Sequence, residues 1–330
     1  MPNELVTKAL LWERQEELPT FKDVHIKYQN GDVLVKVRTA MFGKALHRAI
    51  TIGHPKIHPP RVLGTLLSGD IASENSYFPV GTRVVVNPHT VSESGLKISI
   101  LPGAMSQYVK IDGPIERALY TIPESVDYSS AVYCELIACA LESVLKIRDT
   151  STLIIIGCGL MALIQIQIAK YYGIKNVFCI YNHIERKKLI QKFGGIPLAY
   201  VEDVEDLKKQ IFSTDISKNN FAVIDSAGSK KTLNMLLEFV EPDCKLVLFA
   251  GYPIGTSISL DANNIHYQNC QIIGCYHFEE RLFREAMNLL EQGVVDIKSL
   301  ITGEVNWMYF DKILENFSNT SNISNIVTFD

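Results

Sequence analysis

One segment constrains this chain more than any other: Leu153-Ile154-Ile155-Ile156-Gly157-Cys158-Gly159-Leu160-Met161-Ala162. The apolar run predicts a buried strand, the two glycines predict a tight turn, and Leu163 to Tyr172 predicts a helix. The spacing G-x-G-x-x-A makes specific demands on residue size. Gly157 permits the turn, Gly159 lets backbone N–H groups approach a pyrophosphate, and Ala162 lets the helix pack on the strand. The helix N-terminus carries partial positive charge toward the phosphates. A second apolar strand, Asn176 to Ile180, follows at the distance that a dinucleotide-binding βαβ unit requires.

With 330 residues the chain is long enough for two domains or one large one. Hydrophobic residues make up 47% and charged residues 21%, the balance of a soluble protein with a real core. A net charge of −4 offers no electrostatic case for nucleic acid or an anionic membrane. No apolar run reaches the length of a membrane span. The start, Met1-Pro2-Asn3-Glu4, lacks the basic and apolar regions of a secretory signal, so a cytoplasmic location is expected. The seven cysteines (Cys134, Cys139, Cys158, Cys179, Cys244, Cys270 and Cys275) lie mostly in apolar runs and read as buried free thiols.

The first 120 residues read as β-rich. Asp32 to Arg38 alternates, and Val62 to Gly69 and Thr82 to Asn87 are short apolar segments punctuated by Gly and Pro, as in a small barrel or sandwich. Ser129 to Lys146 changes to a helical period, with Ser129 or Ser130 as candidate cap. From Leu153 strands and helices alternate. The strands are Leu153–Ile156, Val177–Ile180, Ala199–Val201, Phe221–Asp225, Lys245–Ala250 and Gln271–Tyr276; the intervening helices include Ile184–Phe193, Val204–Phe212 and Ser229–Val240. That alternation predicts an α/β domain with a doubly wound parallel sheet. Glu279–Gln292 reads as an amphipathic helix, and Ile326 to Phe329 as a strand returning to the first domain.

Several motifs then resemble, in order, those of the medium-chain dehydrogenase/reductases, the zinc-type alcohol and sorbitol dehydrogenase superfamily. Ala40-Met41-Phe42-Gly43-Lys44-Ala45-Leu46-His47 resembles G-x-C-G-T-D-x-H, and Val62 to Gly69 resembles V-L-G-H-E-x-x-G. Gly81-Thr82-Arg83-Val84-Val85 is similar to G-D-R-V, and Gly103 to Val109 to G-x-x-A-E-Y-V. Cys134-Glu135-Leu136-Ile137-Ala138 resembles the C-E-P-L-A of sorbitol-type members, and Ala250-Gly251-Tyr252-Pro253 the loop near the nicotinamide. The resemblance implies a chaperonin-10-like β-barrel catalytic domain (1–147 and 276–330) plus a Rossmann cofactor domain (148–275).

The departures bear on metal. The family's zinc ligands fall here at Phe42, Thr65 and Leu66, so that only Glu135 keeps a ligand side chain; its structural zinc loop corresponds to Val91 to Pro102, which has no cysteine. A lone carboxylate does not hold Zn²⁺, since stable sites need three or four protein ligands. The expectation is therefore no zinc. His54, His58 and His89 are the histidines available to rebuild a different site, although Pro55, Pro59 and Pro60 oppose a helix that would align the first two.

Without zinc, other groups must manage the substrate oxygen. Lys44 falls where relatives place the Ser or Thr that touches the substrate hydroxyl, and an ammonium there supplies a charge-assisted hydrogen bond; an exposed, snorkelling lysine is the competing reading. The resemblance makes His47 the proton-relay histidine, or a ribose contact only. Glu135 either binds substrate hydroxyls or amines or pairs with Lys44. Phe42, Thr65 and Leu66 would line the substrate pocket, with Phe42 and Leu66 making it apolar and Thr65 still offering a hydrogen bond.

The second Rossmann strand ends Tyr181-Asn182-His183 without the acid that selects NAD, and Arg186, Lys187 and Lys188 follow. NADP(H) is favoured over NAD(H) on that basis. The expected cofactor contacts are Gly157, Gly159, Leu160, Met161, Ala162, Tyr181, Asn182, Arg186, Ala227, Gly251 and Tyr252. Asp225 is expected to shape the cofactor crevice. The implied activity is zinc-independent hydride transfer between a nicotinamide and a polar secondary alcohol or ketone of sugar, cyclitol or polyol type. Reduction of an enone or quinone C=C bond is the alternative enzyme, and a catalytically inactive dinucleotide-binding protein the alternative of another class. The expected partners are a small-molecule substrate and a second copy of the chain: a homodimer through Gln271–Tyr276, or a homotetramer.

Overall fold

The computed structural model describes residues 3–53, 57–92, 95–98, 100–212, 220–310, 312 and 322–330. His54 lies outside the described residues. The chain divides into two compact units, Met1–Glu135 with Phe283–Asp330, and Leu136–Leu282. The division falls inside one helix, so residues 136–147 group with the parallel sheet; at the other end, residues 276–282 do too.

The first unit is antiparallel β. Strands β1 (Asn3–Trp12) and β2 (Thr20–Tyr28) form a hairpin, and β1 also pairs β4 (Arg61–Val62). A second, curled sheet is built around β3 (Leu34–Phe42), which pairs β5 (Leu67–Ile71) along one edge. Its other edge is shared by β10 (Tyr108–Ile111) and β19 (Ser324–Thr328). Next to these lie β6 (Arg83–Val86), β9 (Ile100–Leu101), β11 (Leu119–Thr121) and β18 (Ile301–Asn306), while β7 (His89–Ser92) and β8 (Gly95–Ile98) form a separate hairpin. The C-terminal strand does return to this unit, at Thr39 to Phe42. The core gathers Leu10, Trp12, Val35, Val37, Phe42, Leu63, Leu67 and Val84, all fully buried. A large apolar surface removed from water at roughly 25 cal/mol per Å² is what holds such a sheet curled around its core.

One contact in this unit tolerates no side chain. A Cβ on Gly69 would sit 2.1 Å from the carbonyl oxygen of Lys36 on β3. Glycine lets the two strands approach beside the irregular register between Val37 and Thr39.

Helices α1 (Lys44–Ile52), α2 (Ile115–Ala118) and α3 (Tyr128–Ala131) punctuate the unit, and α4 (Cys134–Leu145) runs into the second. The expected single helix from Ser129 is thus two helices. Its cap is Asp127, whose carboxylate accepts from Ser130 N at 2.7 Å, rather than Ser129 or Ser130. An acid at that position also complements the helix dipole.

The second unit is α/β. Six parallel strands run in the order β14 (Ile196–Ala199), β13 (Asn176–Tyr181), β12 (Thr152–Ile156), β15 (Phe221–Asp225), β16 (Lys245–Leu248), β17 (Gln271–Gly274). Every residue of β12 is buried, as a central parallel strand covered on both faces must be. The connecting helices are α5 (Leu160–Tyr171), α6 (Lys187–Lys192), α7 (Val204–Ile211), α8 (Lys230–Glu238) and α9 (Ala262–Tyr267); α10 (Arg281–Glu291) follows β17. The winding reverses between β13 and β15, on either side of β12. In such sheets the crevice beyond the strands' carboxyl ends, at that reversal, is where ligands bind. No helix among the described residues is long and apolar enough to cross a membrane.

Substituting Gly69→Ala is expected to destabilise the first unit by about 3 kcal/mol or more, read as a lower melting temperature with the second unit's far-ultraviolet signal retained. An unchanged melting curve would contradict the close approach of β3 and β5.

Candidate active site

The turn after β12 is set by backbone geometry. Gly157 has φ +104°, and a Cβ there would meet Ala227 Cβ at 3.1 Å and Ala227 N at 3.3 Å. Both its conformation and its neighbour therefore require glycine. Gly159 differs: its φ is −79°, and an added Cβ would touch nothing within 4 Å. Its smallness leaves the approach to the α5 N-terminus unobstructed. Helix α5 begins at Leu160, not Leu163, because Gly159 is its cap. Leu160 and Met161 are half-buried on its first turn and Ala162 is fully buried. No acid occupies that turn to compete with an incoming anion.

Behind the turn, Gln165 of α5 is fully buried and held on both sides. Ser226 Oγ donates to its Oε1 at 2.6 Å, and its Nε2 donates to Ser143 Oγ at 2.9 Å. This network had no signature in the sequence; only three-dimensional neighbours reveal it.

Asp225 organises the adjoining turns. Its carboxylate is fully buried and accepts from Ala227 N at 2.9 Å, Gly228 N at 3.2 Å, Thr232 Oγ1 at 3.0 Å and Tyr252 OH at 2.8 Å. The Tyr252 phenol is raised above its usual pKa by burial and by this carboxylate, so it remains a donor. Gly228 has φ +72°, and a Cβ there would lie 2.5 Å from Gly251 O. The turns after β15 and β16 are thereby clamped together, with Ala227 and Gly251 exposed at their rims.

At the end of β13, Tyr181 is half-buried and Asn182 exposed; Asn182 Oδ1 faces Cys158 Sγ at 3.7 Å. Arg186 sits in the 3₁₀ turn that follows, only 4% exposed, with its pKa lowered by burial. Lys187 and Lys188 are exposed.

In the first unit, Lys44 is the first residue of α1 and is exposed, while His47 is half-buried one turn later. Burial lowers the His47 pKa below its usual 6.5, so the imidazole is neutral at pH 7. Phe42 is fully buried against Phe310, ring centroids 5.1 Å apart. Leu66 is buried and Thr65 half-buried just before β5. Glu135 is largely buried, its Oε1 3.9 Å from His89 Nε2.

Do these residues suit zinc? At Phe42 and Leu66 they do not: an aromatic ring packed in the core and an aliphatic chain offer no ligand atom. A different set does have suitable chemistry. Helix α4 carries Glu135 and Cys139 one turn apart, and with His277, after β17, they bring a carboxylate oxygen, a thiol sulfur and an imidazole nitrogen within 4.8 Å of one another. His277 has φ +63°, unusual for a non-glycine residue, and burial lowers its pKa, keeping the ring in the neutral form that binds metals. Sequence reading missed this grouping, since 138 positions separate Cys139 from His277.

Known proteins match this architecture. The profile of the family described as zinc-binding dehydrogenase matches residues 157–292. Sorbitol dehydrogenase of Bacillus subtilis (strain 168) is 24% identical over 299 residues, covering 83% of this chain and 83% of its own. A putative zinc-binding dehydrogenase of Sinorhizobium meliloti 1021, solved with NADP, superposes with a TM-score of 0.85 at 18% identity, over 98% of this chain and 99% of its own. The fold is that of the medium-chain dehydrogenases. An alcohol dehydrogenase from E. coli CFT073, solved with NADH, shares it at a TM-score of 0.82 and 21% identity, over 98% of this chain and 99% of its own. The expected combination of a chaperonin-10-like sheet and a Rossmann sheet is therefore present.

The variant Gly159→Val tests the shelf. No atom lies within 4 Å of an added Cβ, so the melting temperature should hold, while affinity for a nicotinamide dinucleotide should fall about tenfold or more. Calorimetric titration giving unchanged affinity would contradict the assignment.

Proposed function

We propose that this chain is a nicotinamide-dependent oxidoreductase that moves hydride between the cofactor and a polar secondary alcohol or its ketone, of sugar, cyclitol or polyol kind. The observation that carries the reading is the Gly157–Gly159 turn at the winding reversal of a six-stranded parallel sheet. The sorbitol dehydrogenase similarity and the sorbitol-like Cys134-Glu135 pair support the substrate class. When bound, the nicotinamide supplies the hydride acceptor or donor. The chain's residues do the rest: the α5 N-terminus and the Gly159 backbone bind the pyrophosphate, and Asn182 takes the adenosine ribose. The lack of an acid at the end of β13, Tyr181-Asn182-His183, with Arg186, Lys187 and Lys188 nearby in sequence, supports NADP(H) over NAD(H). Half-buried Ile272 and Ile273 on edge strand β17 support association of two copies.

In the zinc-independent reading, Lys44 donates a charge-assisted hydrogen bond to the substrate oxygen, Glu135 binds a neighbouring hydroxyl, and neutral His47 carries the proton away. Lys44→Ala should cut kcat by about 100-fold or more with little change in cofactor affinity. The sign of the pH effect follows from His47: alcohol oxidation should fall as pH drops through its pKa, below 6.5, because protonation removes the acceptor. That limb should vanish in His47→Asn, leaving a rate about 10- to 100-fold lower. An unaltered profile in the variant would count against the relay. Deuteride from labelled cofactor should arrive on a carbonyl carbon; arrival on a β-carbon would instead identify an enone reductase, and no turnover despite cofactor binding an inactive protein.

The Glu135, Cys139 and His277 grouping favours a second reading, in which those residues would hold a zinc ion and the ion would supply Lewis-acid polarisation of the substrate. Elemental analysis separates the two. The zinc-independent reading expects fewer than about 0.1 zinc per active chain. Stoichiometric zinc lost in Cys139→Ser and His277→Ala would overturn it in favour of the second.

A further inference from the structure

Two cysteines away from the dinucleotide shelf are placed for chemistry that neither reading uses. Cys244 immediately precedes β16, and Cys270 immediately precedes β17. Since Lys245 pairs with Gln271, the two cysteines stand opposite one another where the parallel strands begin. Their sulfurs are 3.1 Å apart. Both side chains belong to the apolar core of the second unit, Cys244 fully buried and Cys270 9% exposed.

The approach is enforced by backbone on both sides. Each cysteine follows a non-glycine residue in the left-handed region, Asp243 at φ +56° and Asn269 at φ +50°. Those turns are joined to each other: Asp243 N donates to Gln268 O at 2.8 Å, Asn269 Nδ2 donates to Asp243 Oδ1 at 2.7 Å, and Gln271 N donates to Cys244 O at 2.9 Å. Such conformations cost energy in non-glycine residues and persist only where neighbours impose them. These hydrogen bonds hold together the two turns from which the thiols face one another.

We propose that Cys244 and Cys270 are a reversible dithiol–disulfide site that, on exposure to a peroxide, staples edge strand β17 to β16. One sulfur, as thiolate, attacks a peroxide oxygen. The O–O bond breaks, the departing hydroxide takes up the proton the thiol had lost and leaves as water, and a sulfenic acid forms. The second sulfur attacks it, the S–O bond breaks, the S–S bond forms, and a second water leaves. Two thiols and one hydrogen peroxide give one disulfide and two waters, the sulfurs losing two electrons that reduce the peroxide. The first step favours Cys244: its pKa is lowered by the neighbouring Cys270 thiol and by Glu241 N, which donates to its sulfur at 3.5 Å. Bond formation at about 2.05 Å asks for only about 1 Å of sulfur movement.

The bond would close the segment from Cys244 to Cys270. That segment holds β16, the Gly251–Tyr252 rim whose tyrosine donates to Asp225, and α9, which has no buried residue. A cross-link there removes freedom from the unfolded chain and ties down a part of the unit that packs weakly. The proposal is independent of which substrate or metal reading holds.

Intact-mass measurement on the full protein tests it. Mild hydrogen peroxide should remove two mass units, and peptide mapping should give one cross-linked species joining Cys244 and Cys270. Dithiothreitol should reverse it, and the melting temperature of the oxidised form should rise by about 5 °C. Cys270→Ser and, separately, Cys244→Ala should abolish the two-unit loss. The wild-type map stands without either variant. Unchanged mass, oxygen additions without a cross-link, or a cross-link between other cysteines would overturn the proposal.

Discussion

The Asp225 carboxylate is the fixed point of the second unit. A buried carboxylate is tolerated only when its oxygens are fully hydrogen-bonded. Here two backbone amides, a threonine hydroxyl and a tyrosine phenol meet that demand. Satisfying it folds the turn after β15 so that Ala227 lies against Gly157, and ties that turn to Tyr252 after β16. Three turns at the carboxyl end of the sheet share one electrostatic anchor. The shelf that presents the α5 N-terminus depends on it, and Tyr252 acts there as a structural tie.

The first unit poses the complementary problem. Its sheet is curled around an apolar core, and Phe42, which the sequence resemblance sets at a zinc-ligand position, is committed to that core against Phe310. The polar groups of this unit on which the zinc-independent proposal relies are the exposed Lys44 ammonium, neutral His47 and the largely buried Glu135. The alternative ligand grouping on α4 is chemically coherent as well, which is why metal content discriminates between two mechanisms on one scaffold.

Much of this was legible in the sequence, for reasons that differ by residue. Strand β12 and its glycine turn could be read because a fully buried parallel strand leaves an uninterrupted apolar run, and because Gly157 and Gly159 answer local demands. Strand β15 was placed to the residue. Strands β1 and β2 were not assigned, since their half-buried hairpin mixes Lys, Asp and Thr with apolar residues. Helix α9, capped by Asp261 and burying nothing, has no apolar stripe to detect. The Cys244–Cys270 contact and the position of His277 depend on backbone left-handed turns that no spacing rule encodes.

The central claim is that the Gly157–Gly159 shelf, anchored by Asp225, receives a nicotinamide dinucleotide. Titrating the purified chain with NADPH and NADH, followed by the fluorescence of the reduced nicotinamide, tests it most directly. The account predicts saturable binding at one site per chain, tighter for NADPH. No saturable binding of either nucleotide would contradict it.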